Sequence, residues 1–171
     1  MISLLDTIVY AGRLQNRTEL ISSSSGGAFT ALSDYFLKHD NAVIAVVYNY
    51  ENHTAEFQMI FNKKQREKAK GSKYMQSKPG DIYQKAYRWL IENPKKELLF
   101  VGMGCQSDGF RKFSEIKGIR DRVYIVDIIC HGSPSPKLWR EYIESIQKKH
   151  GKVTYLTFKD KRNGWNSPTA Y

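Results

Sequence analysis

Short apolar runs alternate along the chain with segments in which apolar residues recur every three or four positions. The runs predict buried strands, and the wider spacing predicts amphipathic helices. The predicted strands cover residues 42–49, 54–61, 97–101, 122–129 and 152–159, after a short β-like run at 7–12. Because strands that are apolar throughout alternate with helices, the pattern is typical of an α/β sheet covered on both faces.

The helices are marked by apolar stripes and by residues that start or stop a helix. The stripes contain Ala28, Phe29, Leu32, Phe36 and Leu37; Tyr83, Ala86, Tyr87, Leu90 and Ile91; Phe110, Phe113 and Ile116; and Leu138, Trp139, Tyr142, Ile143 and Ile146. Ser135-Pro136 has the form of an N-cap followed by proline in the first turn. A short turn at 51–53 joins two of the strands. We therefore predict a single α/β domain over residues 1–171, with a mostly parallel sheet, helices on both faces and a small β-hairpin.

Length and composition exclude several classes of protein. The 171 residues suit one domain with a real core, and 13% aromatic residues argue against disorder. No run approaches the ~18 to 20 apolar residues of a membrane span. The N-terminus lacks the basic start and apolar stretch of a signal peptide. A membrane protein, a secreted mini-protein and a disordered tail are not predicted.

The chain is strongly basic, with 27 Lys and Arg against 17 Asp and Glu and a formal charge of +10. Such a charge is compatible with nucleic-acid binding, but no RNA-recognition, helix-turn-helix or zinc-finger signature accompanies it. Many basic residues, including those of 63–70 and 147–149, fall in helical segments that have the pattern of solvated faces. A diffuse basic surface is the simplest interpretation. A phosphate-bearing small ligand and an acidic partner protein are the alternatives, and nucleic-acid binding is not favoured.

Only two cysteines occur, Cys105 and Cys130, which excludes a disulfide framework and a self-contained four-cysteine metal site. Free thiols without an export signal predict a cytoplasmic protein. Each cysteine follows an apolar strand and precedes a helix. If these strands are parallel, both thiols lie at the sheet edge where α/β proteins bind ligands. Two unreactive cysteines on turns are the alternative. His131, which follows Cys130, has the chemistry to donate a proton, cap a helix or bind a metal.

Two polar loops contain candidate ligand-binding residues. The first, residues 22–27, combines serine hydroxyls and glycines before a helix, which suits a phosphate cradle. An ordinary polar loop with a serine N-cap explains it equally well. The second, residues 71–77, contains Lys73 to pair with a phosphate and Tyr74 to stack on a flat ring. A solvated loop is the alternative there.

Five motifs occur in an order and at spacings typical of one family. They are Ser23-Ser24-Ser25-Gly26-Gly27-Ala28-Phe29; Gly71-Ser72-Lys73-Tyr74-x-Gln76-Ser77; Leu99-Phe100-x-Gly102-x-x-Cys105-Gln106; Val126-Asp127-x-x-Cys130-His131-Gly132-x-x-Ser135-Pro136; and Phe158-Lys159-Asp160-Lys161-x-x-Gly164-Trp165. Together they resemble the coenzyme F420 hydrogenase/dehydrogenase beta subunit family, which includes a chlorophyll reductase and proteins encoded beside bacterial polysaccharide genes. The resemblance extends from about Tyr10 to Trp165.

The resemblance implies a flavoprotein that binds FAD and 4Fe-4S clusters and passes electrons between clusters, flavin and a substrate. Thiolates are the ligands that such clusters require, so Cys105 and Cys130 are the implied metal ligands. The implied cofactor-binding residues are Ser23, Ser24, Ser25, Gly26, Gly27, Lys73, Tyr74, Gln76, Gly102, Gln106 and His131. The serine loop and Lys73 are expected near the phosphates or the ring of the flavin.

The chain also departs from the family. Residues 102–106 are Gly-Met-Gly-Cys-Gln, where the family commonly has Gly-Thr-Pro-Cys-Gln. The ferredoxin-like cysteine-rich segment and the long C-terminal continuation of the family are missing, and two cysteines cannot supply four thiolates. Three explanations are open: the chain is part of a longer flavoprotein, a partner supplies the remaining ligands, or the redox function has been lost.

Two functions follow as hypotheses. The first is the flavin-binding core of an iron–sulfur flavoprotein oxidoreductase, which accepts electrons from a ferredoxin-like donor or partner subunit and delivers them to an unidentified small molecule. The basic surface suits an acidic ferredoxin. The second is a non-catalytic α/β binding or assembly module in a polysaccharide-biosynthesis system, with inert cysteines.

Overall fold

A computed structural model describes residues 8–161, and within this range five strands form one sheet. The strands are β1 (Ala42–Asn49), β2 (Thr54–Ile60), β3 (Ser77–Lys78), β4 (Leu98–Met103) and β5 (Val123–Ile128). Their order across the sheet is β3-β2-β1-β4-β5. β1 and β2 pair antiparallel as a hairpin, and every other neighbouring pair is parallel. The predicted mostly parallel α/β sheet with a hairpin is confirmed.

Helices cover both faces of this sheet. They are α1 (Arg17–Ser22), α2 (Ala28–Lys38), α3 (Lys63–Ala69), α4 (Ile82–Glu92), α5 (Gly104–Ile116) and α6 (Pro136–His150). None of the helices in the described residues is long and apolar enough to cross a membrane.

The alternation of side chains along the strands separates two cores. On one face, Ile44 of β1 and Phe100 of β4 are fully buried with Leu90 of α4 and Phe110 of α5. On the other face, their sequence neighbours pack with Phe36 of α2 and Ala69 of α3; these neighbours are Val43, Ala45, Leu99 and Val101. Apolar residues at consecutive positions of β1 and β4 therefore reflect burial on both faces.

α6 packs over the far part of the hairpin. Trp139 and Ile143 of α6 are buried with Ala55 of β2 and with Met75. The chain that follows α6 adds Leu156 and Phe158 to the same cluster. This packing brings the end of the described chain back to the loops that follow α1 and α3.

The structure corrects one predicted strand. Residues 152–159 were expected to form a strand, but residues 151–161 contain no helix or strand. The amide of Leu156 instead donates to the Tyr50 hydroxyl at 3.3 Å. Residues 8–12 of the predicted β-like run are also irregular, while Thr7, Gly164 and Trp165 lie outside the described residues.

Sequence analysis missed two short elements, α1 and β3. α1 begins with a signal that was available in the sequence, because Asn16 accepts a hydrogen bond from the Glu19 amide at 3.0 Å as an N-cap. β3 has only two residues and no recognisable pattern of its own. α1 leads directly into the polar loop at residues 22–27, and β3 follows directly on the polar loop at residues 71–77.

Candidate functional site

Two of the polar loops and the last described segment line one cavity of about 390 Å³. Its walls come from the end of α1 with the following serines, from the turn after α3, and from the segment after α6. The lining residues are Ile21, Ser22, Ser23, Ser24, Gly71, Ser72, Tyr155, Thr157, Phe158, Lys159, Asp160 and Lys161. The volume is within the range of small-molecule sites. Residues from three of the five sequence motifs therefore meet at one place.

The serine loop (residues 22–27) contacts the lysine loop (residues 71–77) directly. The Ser24 hydroxyl accepts from the Ser72 amide at 3.0 Å and lies 3.1 Å from the Ser72 hydroxyl. The buried Ser23 hydroxyl lies 2.7 Å from the Thr30 hydroxyl of α2. The sequence prediction placed both serines in a cofactor site. The structure brings both to the cavity wall, with Ser23 also tied to the helix behind it.

Gly26 and Gly27 have a structural reason to be glycine. A Cβ on Gly26 would lie 2.3 Å from the backbone oxygen of Gly12, and one on Gly27 would lie 2.4 Å from a Leu14 methyl group. Gly27 has a φ of 82° and is the N-cap of α2, which overturns the alternative of a serine N-cap. The Leu14 amide donates to the Gly26 oxygen at 2.9 Å. These glycines let the serine loop pack directly on the preceding backbone.

Lysines and aromatic rings also line the cavity. The ammonium of Lys161 donates to the backbone oxygens of Leu20, Ser23 and Ser25. Burial lowers the pKa of Lys161. Lys159 lies 5.6 Å from the centre of the Tyr74 ring, and Tyr74 packs edge-on against Phe158 at 5.7 Å. Tyr74, a predicted site residue, is thus held beside a residue that lines the cavity.

Lys73 turns away from the cavity. Its ammonium donates to the backbone oxygens of Ala69 and Lys70 at 2.6 and 2.9 Å, at the end of α3. Burial lowers the pKa of Lys73 to about 7. The predicted phosphate contact remains a prediction that requires this side chain to leave its carbonyl partners. Gln76, the other predicted residue of this loop, is exposed.

A cluster of charged residues joins α1 to α3 below the cavity. Arg66 of α3 has no exposed side-chain surface and donates to both carboxylate oxygens of Asp34, at 2.8 and 2.9 Å. It also pairs with Glu19 of α1 at 3.1 Å and with Glu67 at 2.7 Å. Lys70 pairs with Glu19 as well. The expectation of a solvated face for residues 63–70 is wrong at Arg66 and Lys70, which this ion cluster buries.

The ion cluster positions the two loops that line the cavity. Glu19 precedes the serine loop by three residues, and Lys70 immediately precedes the lysine loop. The Lys70 ammonium also donates to the Ser22 hydroxyl at 3.0 Å. Because the same contacts hold the end of α1 against the end of α3, the width of the cavity depends on this cluster.

Lowering the pH is expected to destabilise the fold between about pH 4.5 and 2 through Glu19. The Lys70 hydrogen bond is the largest cause, and Arg66 and Lys63 add to it, so that the pKa of Glu19 falls from 4.5 to about 2 against the opposing effect of burial. A carboxylate with a lowered folded-state pKa stabilises the protein fully above the unfolded pKa and loses that effect as the pH falls through the folded value. Unfolding followed by circular dichroism at several pH values checks this.

The control for this pH effect is a carboxylate outside the cluster. Glu19→Gln is expected to lower stability at pH 7 and to flatten the loss between pH 4.5 and 2. Glu144→Gln, an exposed position on α6, is expected to keep the wild-type profile. Equal profiles for Glu19→Gln and the wild type would contradict the assignment.

The two cysteines follow adjacent parallel strands, as predicted. β4 and β5 pair in parallel with Met103 opposite Ile128, and α5 is the crossover between them. Cys105 and Cys130 each lie two residues beyond these partners, and both are exposed. The predicted location at one sheet edge is therefore confirmed.

The environments of the two thiols differ. The Cys130 thiol lies 3.5 Å from the Met103 sulfur and accepts from the Gly132 amide at 3.3 Å. Met103 lies two residues after Val101 on β4, so their side chains share one face of the sheet. That face is the one covered by α2, because Val101 belongs to the core there. Cys105 belongs to α5, which packs with α4 on the other face of the sheet. There, burial raises the pKa of Tyr83 of α4, and the charge of Cys105 adds to the increase.

These residues do not fit an all-cysteine iron–sulfur cluster. Such a cluster requires four thiolates, and the chain has two cysteines. Within residues 8–161, no three His, Cys, Asp or Glu side chains come together to hold a metal ion. The predicted role of Cys105 and Cys130 as cluster ligands therefore gains no support from their surroundings.

The remaining predicted site residues lie near the same sheet edge but do not line the cavity. Gln106 of α5 donates to the Ser77 hydroxyl at 2.8 Å and accepts from the Met103 amide at 3.3 Å, so it joins α5 to β3. A Cβ on Gly102 would lie 2.8 Å from the Phe100 ring. His131 is exposed on the segment between β5 and α6. Gln106 and Gly102 have evident packing roles, and ligand contacts for all three remain predictions.

Comparison with known proteins shows what this chain is similar to. Residues 95–169 match the family model that describes the C terminus of the coenzyme F420 hydrogenase/dehydrogenase beta subunit. The fold is similar to a chain in a structure titled as a xenon derivatization of the F420-reducing NiFe hydrogenase complex from Methanosarcina barkeri, with a TM-score of 0.63 and 18% identity. That match covers 87% of this chain and 53% of the other. A sequence search among curated proteins gave no significant match.

Residues 95–169 are therefore similar to the C terminus of this beta subunit, and the fold is similar to that of the solved chain. The family resemblance predicted from the sequence is confirmed. The chain spans about half the length of the solved chain that it matches. The structural likeness, at 18% identity, concerns the fold.

Proposed function

We propose that this chain is the flavin-binding domain of an oxidoreductase and that FAD binds in the cavity between the serine loop, the lysine loop and residues 155–161. The observation that supports this most is the meeting of three motifs at one cavity. Ser23 and Ser24, Gly71 and Ser72, and Phe158 to Lys161 are far apart in sequence, yet they line the same space. A shared ligand explains why the three motifs coincide there.

The chemistry of the walls suits a ligand that has phosphates and a flat ring. The hydroxyl of Ser24 and the ammonium of Lys159 are donors suited to phosphate oxygens. Phe158 and Tyr155 provide aromatic surface for a ring. Bound FAD would supply the hydride and electron chemistry, while these residues hold and orient it.

We propose that the electrons come from a cluster held outside these residues, on a ferredoxin-like partner or partner subunit. The two cysteines of this chain cannot complete such a cluster, because it requires four thiolates. The net charge of +10 favours association with an acidic partner. The small-molecule substrate is not identified, and a cytoplasmic location remains a proposal from the free thiols.

A titration with FAD tests the proposal. The protein, purified without oxygen, is expected to bind FAD and to show flavin absorption near ~450 nm after removal of the free cofactor. Lys159→Met is expected to weaken FAD binding about tenfold, because it removes a charge-assisted contact to phosphate. Lys149→Met, an exposed position on α6, is the matched control and is expected to bind like the wild type.

The affinity for riboflavin distinguishes the loss of a phosphate contact from a general loss of structure. Because riboflavin has no phosphate, Lys159→Met is expected to leave its affinity unchanged. Equal FAD affinities for Lys159→Met and the wild type would place the phosphates elsewhere. A protein that binds neither ligand would overturn the flavin proposal and favour the non-catalytic binding or assembly module.

A further inference from the structure

Residues 151–161, here called the strap, contribute one wall of the cavity. Six of the twelve lining residues belong to the strap: Tyr155, Thr157, Phe158, Lys159, Asp160 and Lys161. The strap has no helix or strand of its own. It is therefore held mainly by side chains of other elements, and its release would open the cavity along one whole side.

The start of the strap is attached to α6 and to the hairpin. The Val153 amide donates to the side-chain oxygen of Gln147 at 3.2 Å, and the same oxygen lies 3.1 Å from Nε2 of His53. Because that oxygen accepts from Val153, Nε2 of His53 donates to it. The Leu156 amide donates to the Tyr50 hydroxyl at 3.3 Å. These contacts fix the first half of the strap independently of the cavity.

The end of the strap is attached across the cavity. The Lys161 ammonium donates to three backbone oxygens, those of Leu20, Ser23 and Ser25. These oxygens belong to the end of α1 and to the serine loop, on the side of the cavity that faces the strap. The bonds of Lys161 therefore join the strap to the serine loop, and Lys161 and Ser23 both line the cavity.

Burial of the Lys161 ammonium opposes the attachment of the strap to the serine loop. Burial lowers the pKa of Lys161, so holding the charged amine in this position carries a desolvation cost. This desolvation offsets part of the free energy that the charge-assisted hydrogen bonds contribute. Such contacts break in local opening events while the rest of the fold stays intact.

We infer that Lys161 is the latch of a strap that opens for ligand entry and closes over the bound ligand. The first half of the strap stays fixed at Val153 and Leu156, so the hinge lies beyond Leu156. Phe158 is the apolar part of the closure, since it packs on Trp139 at 5.2 Å and on Tyr74. The part of this inference that names FAD as the ligand rests on the proposed function, whereas the latch itself does not.

Hydrogen exchange measured by mass spectrometry on the ligand-free protein tests the latch. Lys161→Met, which keeps the length of the side chain, is expected to speed exchange in residues 157–161 about tenfold and to leave β1 and β4 unchanged. Lys152→Met is the matched control, since Lys152 is an exposed lysine of the same segment. Unchanged strap exchange in Lys161→Met, or an equal increase throughout the sheet, would overturn the latch.

Saturating FAD tests the coupling of the strap to the ligand. FAD is expected to slow strap exchange in the wild type, and Lys161→Met is expected to release FAD about tenfold faster than Lys152→Met does. If FAD binds without changing hydrogen exchange in the strap, the inference that the strap closes over the ligand is wrong. The flavin proposal then stands. If FAD does not bind, the flavin proposal fails, and the ligand-free comparison still decides whether Lys161 is a latch.

Discussion

Replacing Arg66 with methionine is expected to lower the free energy of unfolding by about 3 kcal/mol. The guanidinium is completely buried and pairs with carboxylates from three separate places in the chain: Glu19, Asp34 and Glu67. Methionine fills a similar volume, but it leaves those carboxylates close together without their shared cation. Urea unfolding followed by circular dichroism measures the effect.

Two further variants separate the ion cluster from the general effect of charge. Arg66→Lys keeps the charge but cannot reproduce the forked contact with Asp34, so an intermediate loss is expected. Lys64→Met removes an exposed charge from the same helix and is expected to change stability by less than about 0.5 kcal/mol. Equal stability of Arg66→Met and Lys64→Met would show that the cluster contributes nothing.

The burial of Arg66 could not be predicted from the sequence. Residues 63–70 contain six charged side chains, Lys63, Lys64, Arg66, Glu67, Lys68 and Lys70, a pattern that normally marks a solvated helix. The partners that bury Arg66 lie 32 and 47 residues away, in Asp34 and Glu19. Nothing local distinguishes Arg66 from its neighbours, because its burial depends on how α1 and α2 pack against α3.

The sheet was predictable because its signal is local. β1 and β4 are continuous apolar runs whose residues are buried on both faces, and this is the pattern that periodicity detects. The strap shows the limit of that signal. Residues 152–159 have the composition of a strand, but the Leu156 amide meets the Tyr50 hydroxyl rather than another strand. A strand requires a partner, and the partner is set by tertiary packing.

Part of the candidate site was also predictable, because its sequence motifs are local. The motifs named the serine loop and the lysine loop, and both line the cavity. The motifs did not reveal that Lys73 turns back onto α3 or that Cys105 and Cys130 have different surroundings. Side-chain direction depends on contacts that are distant in sequence, so a motif locates a loop but does not orient its residues.

Replacing Gly26 with alanine is expected to be the most damaging small change in the serine loop. The added Cβ would lie 2.3 Å from the Gly12 oxygen and 3.4 Å from the Cα of Arg13. The conflict is with backbone, which cannot rotate away as a side chain does, so the two segments must separate. Such a separation breaks the bond from the Leu14 amide to the Gly26 oxygen.

The expected result is a loss of about 1 to 3 kcal/mol in the free energy of unfolding, the usual range for overpacking a tight site. If FAD binds as proposed, its affinity is expected to fall at least tenfold, because Ser23 and Ser24 move with Gly26. Urea unfolding and an FAD titration measure the two effects separately. A stability loss without an affinity loss would locate the flavin away from the serine loop.

Gly104→Ala is the matched control for this substitution. Gly104 begins α5, a Cβ there meets nothing within 4 Å, and alanine is favourable in a helix. It is therefore expected to retain the stability of the wild type and its affinity for FAD. If Gly26→Ala behaved like Gly104→Ala, the close approach of residues 12 and 26 would not constrain the loop. The glycines of the first motif would then be explained by the ligand rather than by packing.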